Sequence, residues 1–114
     1  MKAAEKAFED TRFEKAARLL RGAIELEPGN PEAHYALGMS LAMQNKTAEA
    51  MEAFRRTVEC DPKYADAWYA LGNGFEEQGM LEEAQAHFQR AVEIEPGDEE
   101  TKERLAGVQR RLGL

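Results

Sequence analysis

Few side chains in this sequence could do covalent or acid–base chemistry, and they lie far apart. Cys60 is the single cysteine, and His34 and His87 are the two histidines. A thiol nucleophile needs a base within hydrogen-bond reach, and a zinc site needs several Cys or His at ligand spacing. Neither histidine stands at such a spacing from Cys60 or from the other. Adjacent carboxylates occur at Glu76–Glu77, Glu82–Glu83 and Glu99–Glu100. General acid–base work requires a carboxyl with a raised pKa in a buried cleft, whereas these pairs fall on helices expected to be wet. No glycine-rich phosphate loop and no Ser-His-Asp set is present. The expectation is therefore a chain that is not an enzyme and holds no metal and no cofactor.

Charge narrows the class of partner. The net charge is −7, and residues 65–98 hold one cation, Arg90, against eight carboxylates. Nucleic acid would need a basic stripe, which is absent, so no nucleic-acid partner is expected. The acidic third quarter would attract cationic partners instead. No apolar run approaches the ~18 residues of a membrane span, and the first ten residues lack the apolar stretch of a secretory signal. No direct membrane insertion is expected, and the expected location is cytoplasmic.

The elements that position these residues are set by an internal period. Pro28, Pro62 and Pro96 stand 34 residues apart, each preceded by an acid. On that register His34-x-x-Leu37-Gly38-x-x-Leu41 aligns with Trp68-x-x-Leu71-Gly72-x-x-Phe75. Downstream, Ala16, Ala50 and Ala84 coincide, as do Leu20, Phe54 and Phe88, then Ala23, Thr57 and Ala91. Each copy contains two apolar-periodic stretches, hence a helix–turn–helix unit. Ala4, Gly38 and Gly72, with the aligned alanines, are small where paired helices must approach closely. Asn30 before Pro31 predicts a capped helix start, Asp98 predicts another, and Gly79 supplies left-handed backbone for a turn.

This pattern resembles the tetratricopeptide repeat family, most completely over residues 68–96. The resemblance implies an all-α, right-handed solenoid of antiparallel helix pairs with about seven helices, near 1–9, 12–27, 31–44, 47–60, 65–78, 81–94 and 99–112. The single domain, 1–114, divides into a first repeat at about 1–30, truncated at its start, a second at 31–64, a third at 65–98, and a capping helix at 99–114. The first copy has no counterpart of His34 or Trp68, which fits either a natural truncated end or a piece of a longer protein. On the same register Cys60 aligns with Leu26 and Ile94, so it is expected to fill a small apolar core site, and His34, aligned with Trp68, is expected to pack or to play a partial surface role rather than to catalyse.

At about 100° per residue, Glu32, Tyr35, Met39 and Met43 share a helix face distinct from the packing face of Leu37 and Leu41. In the resembling family that face lines a concave groove that takes extended peptides. Carried over, the groove comprises Glu5, Phe8, Glu9, Glu32, Tyr35, Met39, Met43, Asp66, Tyr69, Asn73, Glu76, Glu77, Glu100 and Glu103. Tyrosine and methionine give it an apolar stripe, and the acids frame that stripe. The implied partner is a protein or peptide with an apolar residue flanked by Lys or Arg. Family members that grip acidic chaperone tails use a clamp of Lys, Asn and Arg; the matching places here hold Met1, Glu5, Ala36, Asp66 and Ala70. An asparagine ladder of another branch is reduced to Asn73. The alternative reading is an assembly module that self-associates or forms part of a longer array.

Overall fold

The computed structural model describes residues 2–114, with side chains described from Thr11 onward. Among the described residues every regular element is an α-helix: α1 (Lys2–Leu26), α2 (Pro31–Met43), α3 (Thr47–Cys60), α4 (Ala65–Glu77), α5 (Leu81–Ile94) and α6 (Glu99–Arg111). The chain forms two compact units, residues 1–60 and 61–114. In the first, α2 packs on α1 and α3; in the second, α5 packs on α4 and α6.

Two of the helix starts, those of α2 and α6, follow from side-chain caps. The Asn30 side chain accepts hydrogen bonds from the backbone N–H groups of Glu32 at 3.1 Å and Ala33 at 3.4 Å, with Pro31 at the first helical position. Those bonds satisfy donors that have no partner within the helix. Asp98 accepts from the Thr101 backbone at 3.3 Å and from the Thr101 hydroxyl at 2.7 Å. These bonds hold the Asp98 carboxyl below its ordinary value of 3.8, the Thr101 hydroxyl contributing most. A carboxyl with a lowered folded-state pKa adds stability that is present above the unfolded value and is lost as pH falls through the folded one. Thermal melts of the wild type and Asp98→Asn should therefore differ at pH 5 to 7 and converge as pH drops below about 3.8. A difference that persists unchanged at pH 2 would sink this account.

The helix ends follow a register of their own. After α2 the chain reverses through Asn45 at φ 61°, and after α4 through Gly79 at φ 75°. In each turn two backbone bonds close a Schellman cap: Lys46 N to Leu41 O at 3.0 Å with Asn45 N to Ala42 O at 3.0 Å, and Met80 N to Phe75 O at 2.9 Å with Gly79 N to Glu76 O at 3.0 Å. Gly113, at φ 82°, ends α6 the same way. Positions 45, 79 and 113 are 34 apart, and the preceding member of that series is Thr11.

Here the structure departs from expectation. Separate helices near 1–9 and 12–27 are replaced by the single 25-residue α1, giving six helices instead of seven. The physical reason is local. A β-branched residue resists left-handed backbone, which Asn tolerates and Gly adopts freely. No Gly or Pro occurs in residues 1–21 either, so nothing there ends the helix.

Inside each unit the core is built from a glycine facing a phenylalanine. A Cβ placed on Gly38 would lie 2.5 Å from the Phe54 ring, and one on Gly72 would lie 2.7 Å from the Phe88 ring. The missing side chains let α2 seat against α3, and α4 against α5. Phe88 is fully buried with Ala84 and Val108, and Tyr69, Phe75, Leu81, Leu105 and Leu112 close around them. Tyr35 tilts onto Phe54 at 5.6 Å between ring centres, as Tyr69 does onto Phe88 at 5.7 Å.

Candidate functional site

The residues that first suggested chemistry are placed in structural roles. His34 is buried, and its Nε2 donates to the Pro28 carbonyl at 2.8 Å. One period later Trp68 Nε1 donates to the Pro62 carbonyl, also at 2.8 Å. The two rings are interchangeable because each carries an N–H at the same point of the repeat. His87 packs against Trp68 and Phe75, and its Nδ1 donates to the Glu83 carbonyl at 2.7 Å. Cys60 corrects the expectation of a core site. It is exposed at the last residue of α3, its thiol 3.7 Å from the Pro28 carbonyl. Its register mates explain this: Leu26 is 85% exposed and Ile94 is half-buried, so the position ends a helix without being enclosed by it. Among the described residues no group of three or more His, Cys, Asp or Glu converges as a metal site would require. No helix among them is long and apolar enough to cross a membrane.

The predicted groove residues fall into two sets, one in each unit. In the first, α2 presents Glu32, Met39 and Met43 to solvent, Met39 at 44% and Met43 at 54% exposure, with Tyr35 half-buried beside them. These four follow one stripe of α2, because residues three and four apart lie over one another. Glu5, Phe8 and Glu9 lie outside the residues whose side chains are described.

In the second unit the predicted set is engaged with α6. The Tyr69 hydroxyl donates to Glu100 Oε1 at 2.9 Å. Arg104 donates to the Asn73 side-chain carbonyl. Arg111 pairs with Glu76 at 3.2 Å. Burial is the main cause that raises the Tyr69 phenol above its ordinary value of 10.0, opposed by a hydrogen bond from Asn73 and reinforced by Glu100. The three contacts form a ladder from α4 to α6, so Tyr69, Asn73, Glu76 and Glu100 also serve as fasteners. Asp66, Glu77 and Glu103 remain exposed. Arg104 and Arg111 belong to this face and were missed. The signal lay in their spacing: Arg104 stands 31 residues after Asn73, the same separation as Glu100 from Tyr69. The face is therefore mixed in charge, where composition alone suggested a purely acidic one.

With this geometry in view, the comparisons with known proteins agree on one class. The chain matches the tetratricopeptide repeat family over residues 1–65 and again over residues 65–98. It belongs to that family, whose members are protein-interaction modules. Its fold is similar to the first TPR of Spaghetti (RPAP3) bound to the HSP90 peptide SRMEEVD, at 21% identity, 99% of this chain, 90% of that chain and a TM-score of 0.84. It is also similar to MamA, at 25% identity, 90% of this chain, 60% of that chain and a TM-score of 0.84. The Sgt2 TPR domain from Aspergillus fumigatus gives 22% identity, 96% and 76% coverage, and a TM-score of 0.80. No curated protein matches the chain.

Proposed function

We propose that this chain is a protein-interaction module in which the α2 stripe of Glu32, Tyr35, Met39 and Met43 holds an extended peptide. The observation that carries this reading is the pair of exposed methionines. Met39 and Met43, each about half exposed and one turn apart, give an apolar strip that adapts to a ligand side chain. Glu32 at one end favours a neighbouring Lys or Arg on that ligand. Exposed Asp66, Glu77 and Glu103 on the other unit suit the same chemistry. The peptide class is thus an apolar residue flanked by cations.

The peptide in the RPAP3 structure is acidic, and the residues here suit such a peptide poorly. The places that the family resemblance gives for a carboxylate clamp hold half-buried Ala36, half-buried Ala70 and exposed Asp66. The first two offer no charge, and Asp66 repels a carboxylate. Binding of the basic peptide class is expected near micromolar, since ordering an extended ligand offsets much of the contact gain. It should weaken as salt rises, because exposed charges are screened.

The test is an amide-shift NMR titration with two peptides, one basic with a central aromatic residue and one acidic with a free C-terminus. The expected result is saturable shifts at Met39 and Met43 with the basic peptide. Met39→Ala should weaken that binding about tenfold, the loss of an anchor side chain. Stronger binding of the acidic peptide would overturn the assignment of charge. Unchanged affinity in Met39→Ala would overturn the α2 site itself.

A further inference from the structure

One face of α1 lacks the cover that its equivalents have. On the 34-residue register Leu19 and Ala23 correspond to Ala53 and Thr57 of α3, and to His87 and Ala91 of α5. Ala53, Thr57 and Ala91 are buried, and His87 packs against the Trp68 and Phe75 rings of α4. In α1, by contrast, Leu19 is 76% exposed and Ala23 is exposed. The helix carries two apolar stripes. Phe13, Ala17, Leu20 and Ile24, buried or half-buried, make the face that packs on α2. Ala16, Leu19, Ala23 and Leu26 make the other, with Arg12 continuing it, and a groove of about 340 Å³ lies along its first turns.

Spacing and size say what covers this second stripe. Residues 12, 16, 19, 23 and 26 advance by four and three in turn, the seam of a two-helix coil. At 100° per residue they stay within about 80° of arc, so one partner helix can meet all of them. Along the seam small and large alternate: Ala16, Leu19, Ala23, Leu26. A second α1 laid antiparallel, with Leu19 opposite Ala23 and Ala16 opposite Leu26, puts one leucine and one alanine in every layer. Layers of equal summed volume pack closely, whereas a parallel copy would set leucine on leucine and alanine on alanine.

The charges obey the same rule. Exposed Arg12, Lys15 and Arg18 stand toward the start of the stripe, and exposed Glu25 and Glu27 toward its end. In the antiparallel pairing Arg12 of one copy comes beside Glu27 of the other, and Lys15 and Arg18 come beside Glu25. A parallel pairing would bring cation to cation. Glu14 and Arg21, about 140° and 160° from Leu19, fall outside the seam. Among the described residues, none of the five seam charges has an ion-pair partner in its own chain.

We infer that two copies associate through α1, antiparallel about a two-fold axis that passes between the Leu19 and Ala23 layers. Such an interface is isologous and closes at two copies. It goes beyond peptide binding by the α2 stripe and does not depend on it. One helix segment from each copy makes a small interface, so the dissociation constant is expected on the order of ten micromolar.

Sedimentation equilibrium from micromolar to millimolar chain concentration is the first test. The wild type should pass from monomer to dimer and stop there. Leu19→Glu should weaken the dimer about a hundredfold, because the symmetry counts the loss of a buried leucine twice. Leu19 is exposed in the single chain, so helical circular dichroism of that variant should stay unchanged. Direction is read from two chains in a Cys60→Ser background, one with Ala16→Cys and the other with Leu26→Cys. Mixed and mildly oxidised, they should form covalent heterodimers, while each alone should stay uncrosslinked. Crosslinks within either chain alone, or none in the mixture, overturn the antiparallel pairing. A wild type that stays monomeric, grows beyond two copies, or is matched in dimerisation by Leu19→Glu overturns the association through α1.

Discussion

Phe88→Ala should destabilise the protein by about 3–5 kcal/mol, the range for removing a buried phenylalanine from a close-packed core. Phe88 is fully buried, and its ring fills the gap that Gly72 leaves on α4 while carrying Tyr69 on its other side. Val108 of α6 joins the same cluster, so one truncation loosens all three helices of residues 61–114. The net stability of such a domain is about 5–15 kcal/mol, so this loss is a large share of it. Urea unfolding followed by helical circular dichroism should show the midpoint falling. Hydrogen exchange should show α4, α5 and α6 losing protection before α2 and α3, because repeat units open locally. A loss under about 1 kcal/mol would mean that the ring is not packed as described.

Gly72→Ala should change sign with its background. In the wild type the added methyl meets the Phe88 ring at 2.7 Å, so α4 must move off α5. Overpacking of this kind costs about 1–3 kcal/mol, which outweighs the ~1 kcal/mol that alanine gains over glycine inside a helix. In Phe88→Ala the ring is gone, and the same methyl enters the space it leaves. There the substitution should be neutral or stabilising by about 1 kcal/mol. A double-mutant cycle by urea titration measures the difference, which should be a coupling of about 1–3 kcal/mol. Additive effects would mean that Gly72 and Phe88 do not face each other. Gly38 and Phe54 should repeat the result in the other unit, where the spacing is 2.5 Å.

The sign change also shows why this contact could be foreseen. Gly38 and Gly72 recur at 34 residues, and so do Phe54 and Phe88. A small residue and a large one recurring in fixed phase on adjacent helices can hardly be anything but partners. The same phase located His34 and Trp68, and in the fold both donate a ring N–H to a carbonyl six residues earlier. Caps at Asn30 and Asp98 were legible for a similar reason, since the interaction spans only two or three residues.

Side chains whose partners come from outside their own repeat were read less well. Glu76 and Glu100 looked like free acids of a groove, yet one pairs with Arg111 and the other accepts from Tyr69. Periodicity reports which face a residue occupies but not how far a long side chain reaches across to the next helix. Cys60 failed differently. Its apolar register mates suggested burial, but at the end of a helix the neighbours needed to enclose it are missing.

The sequence by itself determined the period, the helices from Pro31 onward, the small residues at Gly38 and Gly72, the caps at Asn30 and Asp98 and the turn at Gly79, because each depends on residues that meet at short or repeating separation. Only the tertiary structure decided that α1 is one helix and that its stripe at Leu19, Ala23 and Leu26 lies bare. A seven-helix array and a six-helix one share nearly every repeat position and differ at the turn that a left-handed backbone angle at Thr11 would open. Whether a threonine adopts that angle depends on the balance between its intrinsic cost and the packing that a closed hairpin would recover, and that balance is struck in three dimensions.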